Sequence, residues 1–446
     1  MGVFVCGRIG RLKKSFIIII SLLFIFSGCL NIIDPNYNSD LTVIVDGYVD
    51  KMSYNSSDSI KIYINAVSRM ENTKLKIYDI NNDIAREFEA DLFPQIKNHN
   101  SPWSFGYDYT VTTTIEVENM ESGIYLIENR IPFIIKPSDI VDAIVVYPSN
   151  TINAYNNNEG RSFYTTPRTS KLSFNRQQDL PADIIEYFKW LKKLDYSFGY
   201  ICDYDLDNPS TFELSDLMII SGHNEYWSRT ARENFDQYVN NGNDAMILSG
   251  NTMWWQVRYE QDGKQLICYQ NAEIDPIENE ELKTINWHRS SLNYPIIESI
   301  GCDFSNGGYG LKQDDGWDGY KIILPESPIF ENLNIQLNQI ISIPTREYDS
   351  APIMDVTPEG IPIIDTDILG FFRINILGFD KCFRGTNHKY GTFIVMQKFY
   401  DSGVIINTSS SDWCIRGFSN KDSSIIKNIT LNMISLLKNN SEIFIY

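Results

Sequence analysis

Hydrophobic and polar residues alternate through five short runs near the start of the chain: TVIVDGYVD, SIKIYINAV, TKLKIYDI, TVTTTIEV and GIYLIENRIPFII, separated by Asn, Asp, Ser and Gly. A period of two places successive side chains on opposite faces of a strand. Several such runs without a helical stretch predict an all-β sandwich of the immunoglobulin-like kind over residues 41–136. Its aromatic residues, Trp103 and Tyr107 among them, fit a core more readily than a binding face. The pattern changes at Pro137, where apolar runs begin to alternate with helical repeats. A strand is expected at Ala143–Tyr147. A helix follows at Asp183–Leu194, with Ile184, Ile185, Phe188, Leu191 and Leu194 on one face. Further strands are expected around Phe198–Cys202, from Leu217 and from Ala245. The helix between the last two is capped by Ser228 and stopped by Gly242. This order predicts an α/β domain over 137–446 built on a doubly wound, mostly parallel sheet. Beyond Glu260 the pattern weakens into loops such as NGGYG and DDGWDG. Strands at Thr392–Met396 and Gly403–Asn407 and a closing helix at Ser423–Lys438 complete the reading.

In an open α/β sheet, ligands bind where loops leave the carboxyl ends of strands. The loops beginning at Gly222 and Gly250 leave two such ends. They crowd His223, Asn224, Glu225, Tyr226, Asn251, Trp254, Trp255 and Arg258 onto one edge, while YPSNTINAYNNNEGRSFY and CDYDLDN leave the neighbouring strands. Those loops add Tyr155, Tyr164, Asp203 and Asp205. Trp254 and Trp255 equally fit a loop core, and His223 could serve only to satisfy backbone groups.

The first thirty residues set the compartment. Arg8, Arg11, Lys13 and Lys14 precede an apolar segment from Phe16 to Phe26, which ends in Ser27, Gly28 and Cys29. That layout predicts a secretory signal over 1–28 with lipidation of Cys29 and a polar tether over 29–40. The chain is thereby expected to be exported and lipid-anchored at a cell membrane or outer membrane. Five further cysteines, Cys202, Cys268, Cys302, Cys382 and Cys414, allow at most two disulfides, and no C-x-x-C pair suggests a zinc knuckle. The formal charge of −19 argues against a nucleic-acid partner.

Several chemistries lack their motif. There is no G-x-S-x-G elbow, the turn after Ala245–Leu248 carries no thiol, and none of the four histidines lies in an H-E-x-x-H helix. What remains is carboxylate and phenolate chemistry around Glu225 and Tyr226. Such hard oxygen ligands suit a ferric or other oxygen-loving ion able to activate water.

The strings YPSNTINAYNNNEGRSFY, SGHNEYWS and GNDAMILSGNTMWWQVRYE resemble the C-terminal domain of the N,N-dimethylformamidase large-subunit family, over roughly residues 140–440. The sandwich also resembles a module that accompanies this domain in secreted relatives. The resemblance implies a glutamine amidotransferase-like, flavodoxin-like fold and hydrolysis of a small amide. It also implies a mononuclear iron held by two tyrosines and a glutamate. Tyr226 is the ligand carried over, in the GHNEYW block, with Tyr155, Tyr164 and Glu225 as candidates for the others. The chain departs from the amidase in its expected lipid anchor and its own sandwich.

Two functions are therefore expected. In one, a metal-dependent hydrolase cleaves a carbon–nitrogen bond, with His223 or Glu225 moving protons. In the other, a non-catalytic lipoprotein binds a glycan or peptide on Tyr155, Trp254 and Trp255, with Asn224, Asn251 and Arg258 as polar contacts.

Overall fold

A computed structural model describes residues 43–97, 100–310, 317–420 and 423–445. The expected signal, Cys29 and the tether lie outside the described residues.

Eight strands form the first region: β1 (Ile44–Val49), β2 (Ser53–Tyr54), β3 (Ser59–Ala66), β4 (Met70–Asp79), β5 (Ile84–Leu92), β6 (Thr113–Glu116), β7 (Gly123–Ile127) and β8 (Ile131–Ile135). They make a three-stranded sheet, β1-β3-β6, and a five-stranded sheet, β2-β8-β7-β4-β5. Ile60, Ile62, Ile64 and Ala66 of one sheet share a buried core with Leu75, Ile77, Ile127 and Phe133 of the other. The period of two is thus realised as a sandwich.

The remaining strands are β9 (Ala143–Tyr147), β10 (Lys171–Ser173), β11 (Phe198–Cys202), β12 (Leu217–Gly222), β13 (Tyr226–Ser228), β14 (Asp244–Ser249), β15 (Trp255–Glu260), β16 (Gln265–Ile267), β17 (Asp303–Tyr309), β18 (Gly319–Ile322), β19 (Ile340–Ser342), β20 (Glu347–Ser350), β21 (Ile353–Val356), β22 (Pro362–Ile364), β23 (Arg373–Arg384), β24 (Asn387–Gln397) and β25 (Val404–Asn407). An 11-stranded sheet runs β11-β9-β12-β14-β25-β24-β23-β17-β20, with β18 and β19 alongside. Only β11, β9, β12, β14 and β25 are parallel. From β24 onward every pairing in the sheet is antiparallel.

The expected doubly wound, mostly parallel α/β fold is therefore incorrect. The sheet is mixed, two of the smaller sheets combine both pairings as well, and strand outweighs helix, 36% against 20%. The cause is local. β23 and β24 are joined by Gly385 and Thr386 alone, with Gly385 at φ +66°, and a two-residue connection can join only antiparallel neighbours. The individual elements read from sequence are present even so, including the helices Ala182–Leu191, Arg229–Asn240 and Ser423–Lys438. Alternate residues of the parallel strands face opposite ways. Val145, Ile219 and Met246 pack with the helices holding Phe188 and Met433, and Val146, Ile220 and Ile247 pack with the helix holding Phe235.

All five described cysteines are buried and unpaired, so neither allowed disulfide forms among them. No helix of the described residues is long and apolar enough to cross a membrane.

Candidate functional site

β12 ends at Gly222, whose φ of +68° turns the chain and delivers His223, Asn224 and Glu225 to the carboxyl edge of the parallel strands. Backbone bonds fix Glu225 on both sides: its N–H donates to Thr151 Oγ1 at 2.8 Å, and its carbonyl accepts from the N–H of Trp255 at 2.9 Å. Asn224 is a buried clip. Its amide donates to Asp203 and its oxygen accepts from the Trp227 indole.

Two phenols converge on the Glu225 carboxylate. Tyr155 Oη donates to Oε2 at 3.0 Å, and Tyr164 Oη lies 2.8 Å from Oε1 and 3.0 Å from Oε2. The two rings stack with centroids 4.2 Å apart. Although 37% of the Tyr155 surface is exposed, its hydroxyl turns inward. Tyr226, expected as a metal ligand, stands one bond further out: its hydroxyl donates to Tyr164 Oη at 2.5 Å and accepts from the Gln270 amide at 3.4 Å. Tyr155 closes the short helix Ser149–Tyr155, and Tyr164 lies in the loop that follows, which the sandwich grips. Lys97 and Tyr107 both hold Glu159, and Arg161 lies over the Trp103 ring at 4.7 Å. Trp103 and Tyr107 therefore brace this loop.

Opposite Glu225 stands Glu347, on β20. His223 Nε2 is 3.0 Å from Glu347 Oε2 and 3.6 Å from Glu225 Oε2, and Asn251 Nδ2 is 3.3 Å from the same Glu347 oxygen. Asn251 occupies the turn after β14 with φ +52°. Gly250 before it admits no side chain, since a Cβ there would meet Ser411 N at 2.4 Å and Glu347 O at 2.6 Å. Asp349, also on β20, accepts from the N–H groups of Asn251 and Thr252 at 2.9 and 3.0 Å, which offsets the cost of the left-handed turn.

The electrostatics follow from burial. Desolvation pushes the Glu225 carboxyl up to about 7, with Glu347 adding to the rise. Burial works to raise Glu347 and to lower His223, but their mutual attraction prevails, so Glu347 sits below the usual carboxylate range and His223 above the usual imidazole one. His223 thus lies between two acids, Glu347 at 3.0 Å and Glu225 at 3.6 Å, and its charge only partly opposes the rise that burial imposes on Glu225. Burial, then Glu225, holds the Tyr155 and Tyr164 phenols protonated.

Other expected residues serve the framework. Arg258 makes a two-pronged pair with Asp275 at 2.8 and 2.9 Å. Trp255 pairs with Tyr226 in the register of β15 and β13. Trp254 is only 8% exposed and packs on Phe304 and His288. Asp203 caps Ser149 and Asn150, and Asp205 bonds Lys136 and Ser53. Sequence reasoning did not find Glu347 and Asp349. Their one signal is the pair of acids two residues apart in REYDS, which share a strand face. A cleft of about 400 Å³ lies between the sandwich and β11. None of its lining residues belongs to this cluster.

Among the described residues, no group of three or more His, Cys, Asp and Glu side chains is arranged to hold a metal ion. The oxygen set that does converge is two phenols and a carboxylate.

Residues 81–418 match the family described as N,N-dimethylformamidase beta subunit-like, C-terminal. The match covers well over half of the chain, which therefore belongs to that family. No curated protein matches it.

Proposed function

We propose that the cluster around Glu225 is the active site of a hydrolase that cleaves the carbon–nitrogen bond of an amide. The observation that carries this reading is the convergence of Tyr155 Oη and Tyr164 Oη on one buried carboxylate, beside a His223–Glu347 ion pair. A buried acid that desolvation raises to about 7, touched by two phenols, has the donor chemistry of a hard-metal site. Tyr155, Tyr164 and Glu225 would hold an ion such as iron, which supplies Lewis acidity when bound. Tyr226 positions Tyr164 through their shared hydrogen bond.

The remaining work falls to His223 and Glu347. Hydrolysis joins a water oxygen to the carbonyl carbon and breaks the bond to nitrogen, leaving a carboxylic acid and an amine. Glu347 accepts the proton of the attacking water, and His223, held protonated by the two acids, donates one to the departing nitrogen. Asn251 fixes Glu347 in place. An aromatic platform for glycans draws less support, because Trp254 is buried and Tyr155 is stacked on Tyr164. The run from Arg8 to Cys29 supports an exported protein tethered through Cys29.

The test is elemental analysis of the full chain expressed with iron supplied, together with assay of formamide and acetamide derivatives. Near-stoichiometric iron is expected in the wild type and in Tyr226→Phe, with loss of both iron and hydrolysis in Tyr164→Phe. Metal-free wild-type protein that hydrolyses no amide overturns the reading.

A further inference from the structure

At the antiparallel end of the sheet, a second group of side chains borders this site. Tyr309, the last residue of β17, lies directly across from Glu347 in the register with β20 and across from Phe383 in the register with β23. Half of its surface, 52%, is open to solvent. Its ring meets Phe304 edge-on at 5.2 Å, and Phe304 meets Trp254 edge-on at 5.5 Å, so an aromatic wall runs from Glu347 to the loop beside Glu225. Arg384, at the end of β23, folds over that wall. Its guanidinium carbon is 4.9 Å from the Phe304 ring centre and 5.3 Å from that of Trp254.

Arg384 makes one hydrogen bond, to the Phe304 carbonyl at 2.5 Å, and no ion pair with a carboxylate among the described residues. Five N–H donors and a full charge are thus largely uncommitted. By contrast, Arg346, the other arginine near the cluster, is tied to Asp412. The Tyr309 hydroxyl feels Glu347 and Glu225 on one side and Arg384 on the other, which places the guanidinium at the border of the site. An acidic centre in a chain of charge −19 repels an anionic substrate unless a cation receives it. A planar fork beside an aromatic face is suited to a carboxylate attached to a flat group.

We infer that Arg384 and Tyr309 form a carboxylate-binding rim of this site, and that the substrate is an amide bearing a carboxylate on a planar or apolar group. This rests on the hydrolase reading above and adds the substrate class to it. The carboxylate pairs with the guanidinium, the flat portion lies along Tyr309, and the amide then reaches toward Glu225 and Glu347.

The test compares 4-formamidobenzoate with its neutral counterpart formanilide in wild type, Arg384→Met and Arg384→Lys, alongside calorimetric titration with benzoate. The wild type is expected to favour the carboxylated amide in kcat/KM by about tenfold or more, the Met variant to bring the ratio near one, and the Lys variant to fall between. A wild-type ratio near one, or a preference that survives in Arg384→Met, overturns the rim. If neither amide is hydrolysed, the hydrolase reading fails and benzoate decides the rim alone. Binding to wild type that disappears in Arg384→Met supports it, and no binding to wild type overturns it.

Discussion

The two halves of the central sheet build the site in different ways. On the parallel side, β9, β12 and β14 run the same way, and the segments beyond their carboxyl ends carry Tyr155, at the end of a short helix, and His223, Glu225 and Asn251. On the antiparallel side the acids stand within a strand: Glu347 and Asp349 alternate with Tyr348 along β20 and point their carboxylates at the first half. The parallel half presents oxygen donors and His223 around a carboxyl that burial raises. The antiparallel half supplies the counter-charge for His223, the brace for the Asn251 turn, and Arg384. On the hydrolase reading proposed above, neither half holds a complete set of groups, so the proposed chemistry depends on the seam between them.

The sharpest way to break this comparison is to neutralise one acid from each half. Glu225→Gln removes the carboxylate on which both phenols converge, and activity should fall by about a thousandfold or more with loss of bound metal. Glu347→Gln leaves the oxygen set intact, so metal content should persist while kcat falls by about a hundredfold. The pH profile should move as well, because His223 loses the partner that holds it protonated. Measuring kcat against metal content in both variants decides the matter. If Glu347→Gln loses metal as completely as Glu225→Gln, the division of labour between the halves is wrong.

A smaller effect separates the sandwich from the site. Leu75 is fully buried between the two sandwich sheets, and Leu75→Ala should cost about 3 kcal/mol of stability through the cavity it leaves. The sandwich reaches the site through the loop around Glu159 and Arg161 and through Met52 and Trp103, which pack against the cluster of Tyr164 and Tyr226, and Leu75 belongs to a separate core. The folded variant should therefore keep its kcat in a urea-titrated comparison with wild type. A large drop in kcat under native conditions would show that the sandwich core is coupled to the phenols.

How far the sequence speaks follows the same seam. The sandwich was legible because Ile60, Ile62 and Ile64 repeat at a strand period, and the parallel strands because runs such as LMII and AMIL are buried on both faces. His223 and Glu225 were legible because they follow a strand end within three residues. The antiparallel half was not. β17, β20 and β23 carry polar, glycine-rich or charged residues at positions an apolar count treats as loop, as in DFSNGGY and EYDS. The parallel-sheet expectation failed for a related reason: strand direction is set by the Gly385–Thr386 turn, and no periodicity within β23 or β24 reports it. Glu347 lies more than a hundred residues beyond Glu225, and only the folded sheet brings the two together.

The mildest expected effect reads the seam through stability. Asp349 is fully buried, and desolvation pushes its carboxyl up to about 8, with Asp303 adding to the rise and the N–H groups of Asn251 and Thr252 opposing it. In the unfolded chain the same carboxyl titrates near 4. Its contribution to stability is complete below that value, because both states are protonated there, and it is lost as pH rises through about 8, where the folded state must ionise. Between the two values the folded form binds one more proton than the unfolded form, a slope of ~1.4 kcal/mol per pH unit. Glu225 and Asp203, raised to about 7, contribute the same sign but finish earlier. Asp349→Asn keeps a carbonyl for one of the two turn N–H groups and removes the titration. His223, also held above its usual range, acts with the same sign between pH 7 and 8 in wild type and variant alike, so the difference between the two proteins in that window reports Asp349. Urea midpoints measured at pH 7 and 8 should therefore separate for wild type and draw together for the variant. Parallel lines for the two proteins would mean that Asp349 is already ionised at neutral pH, and that β20 braces the Asn251 turn with a charge instead of a neutral acid.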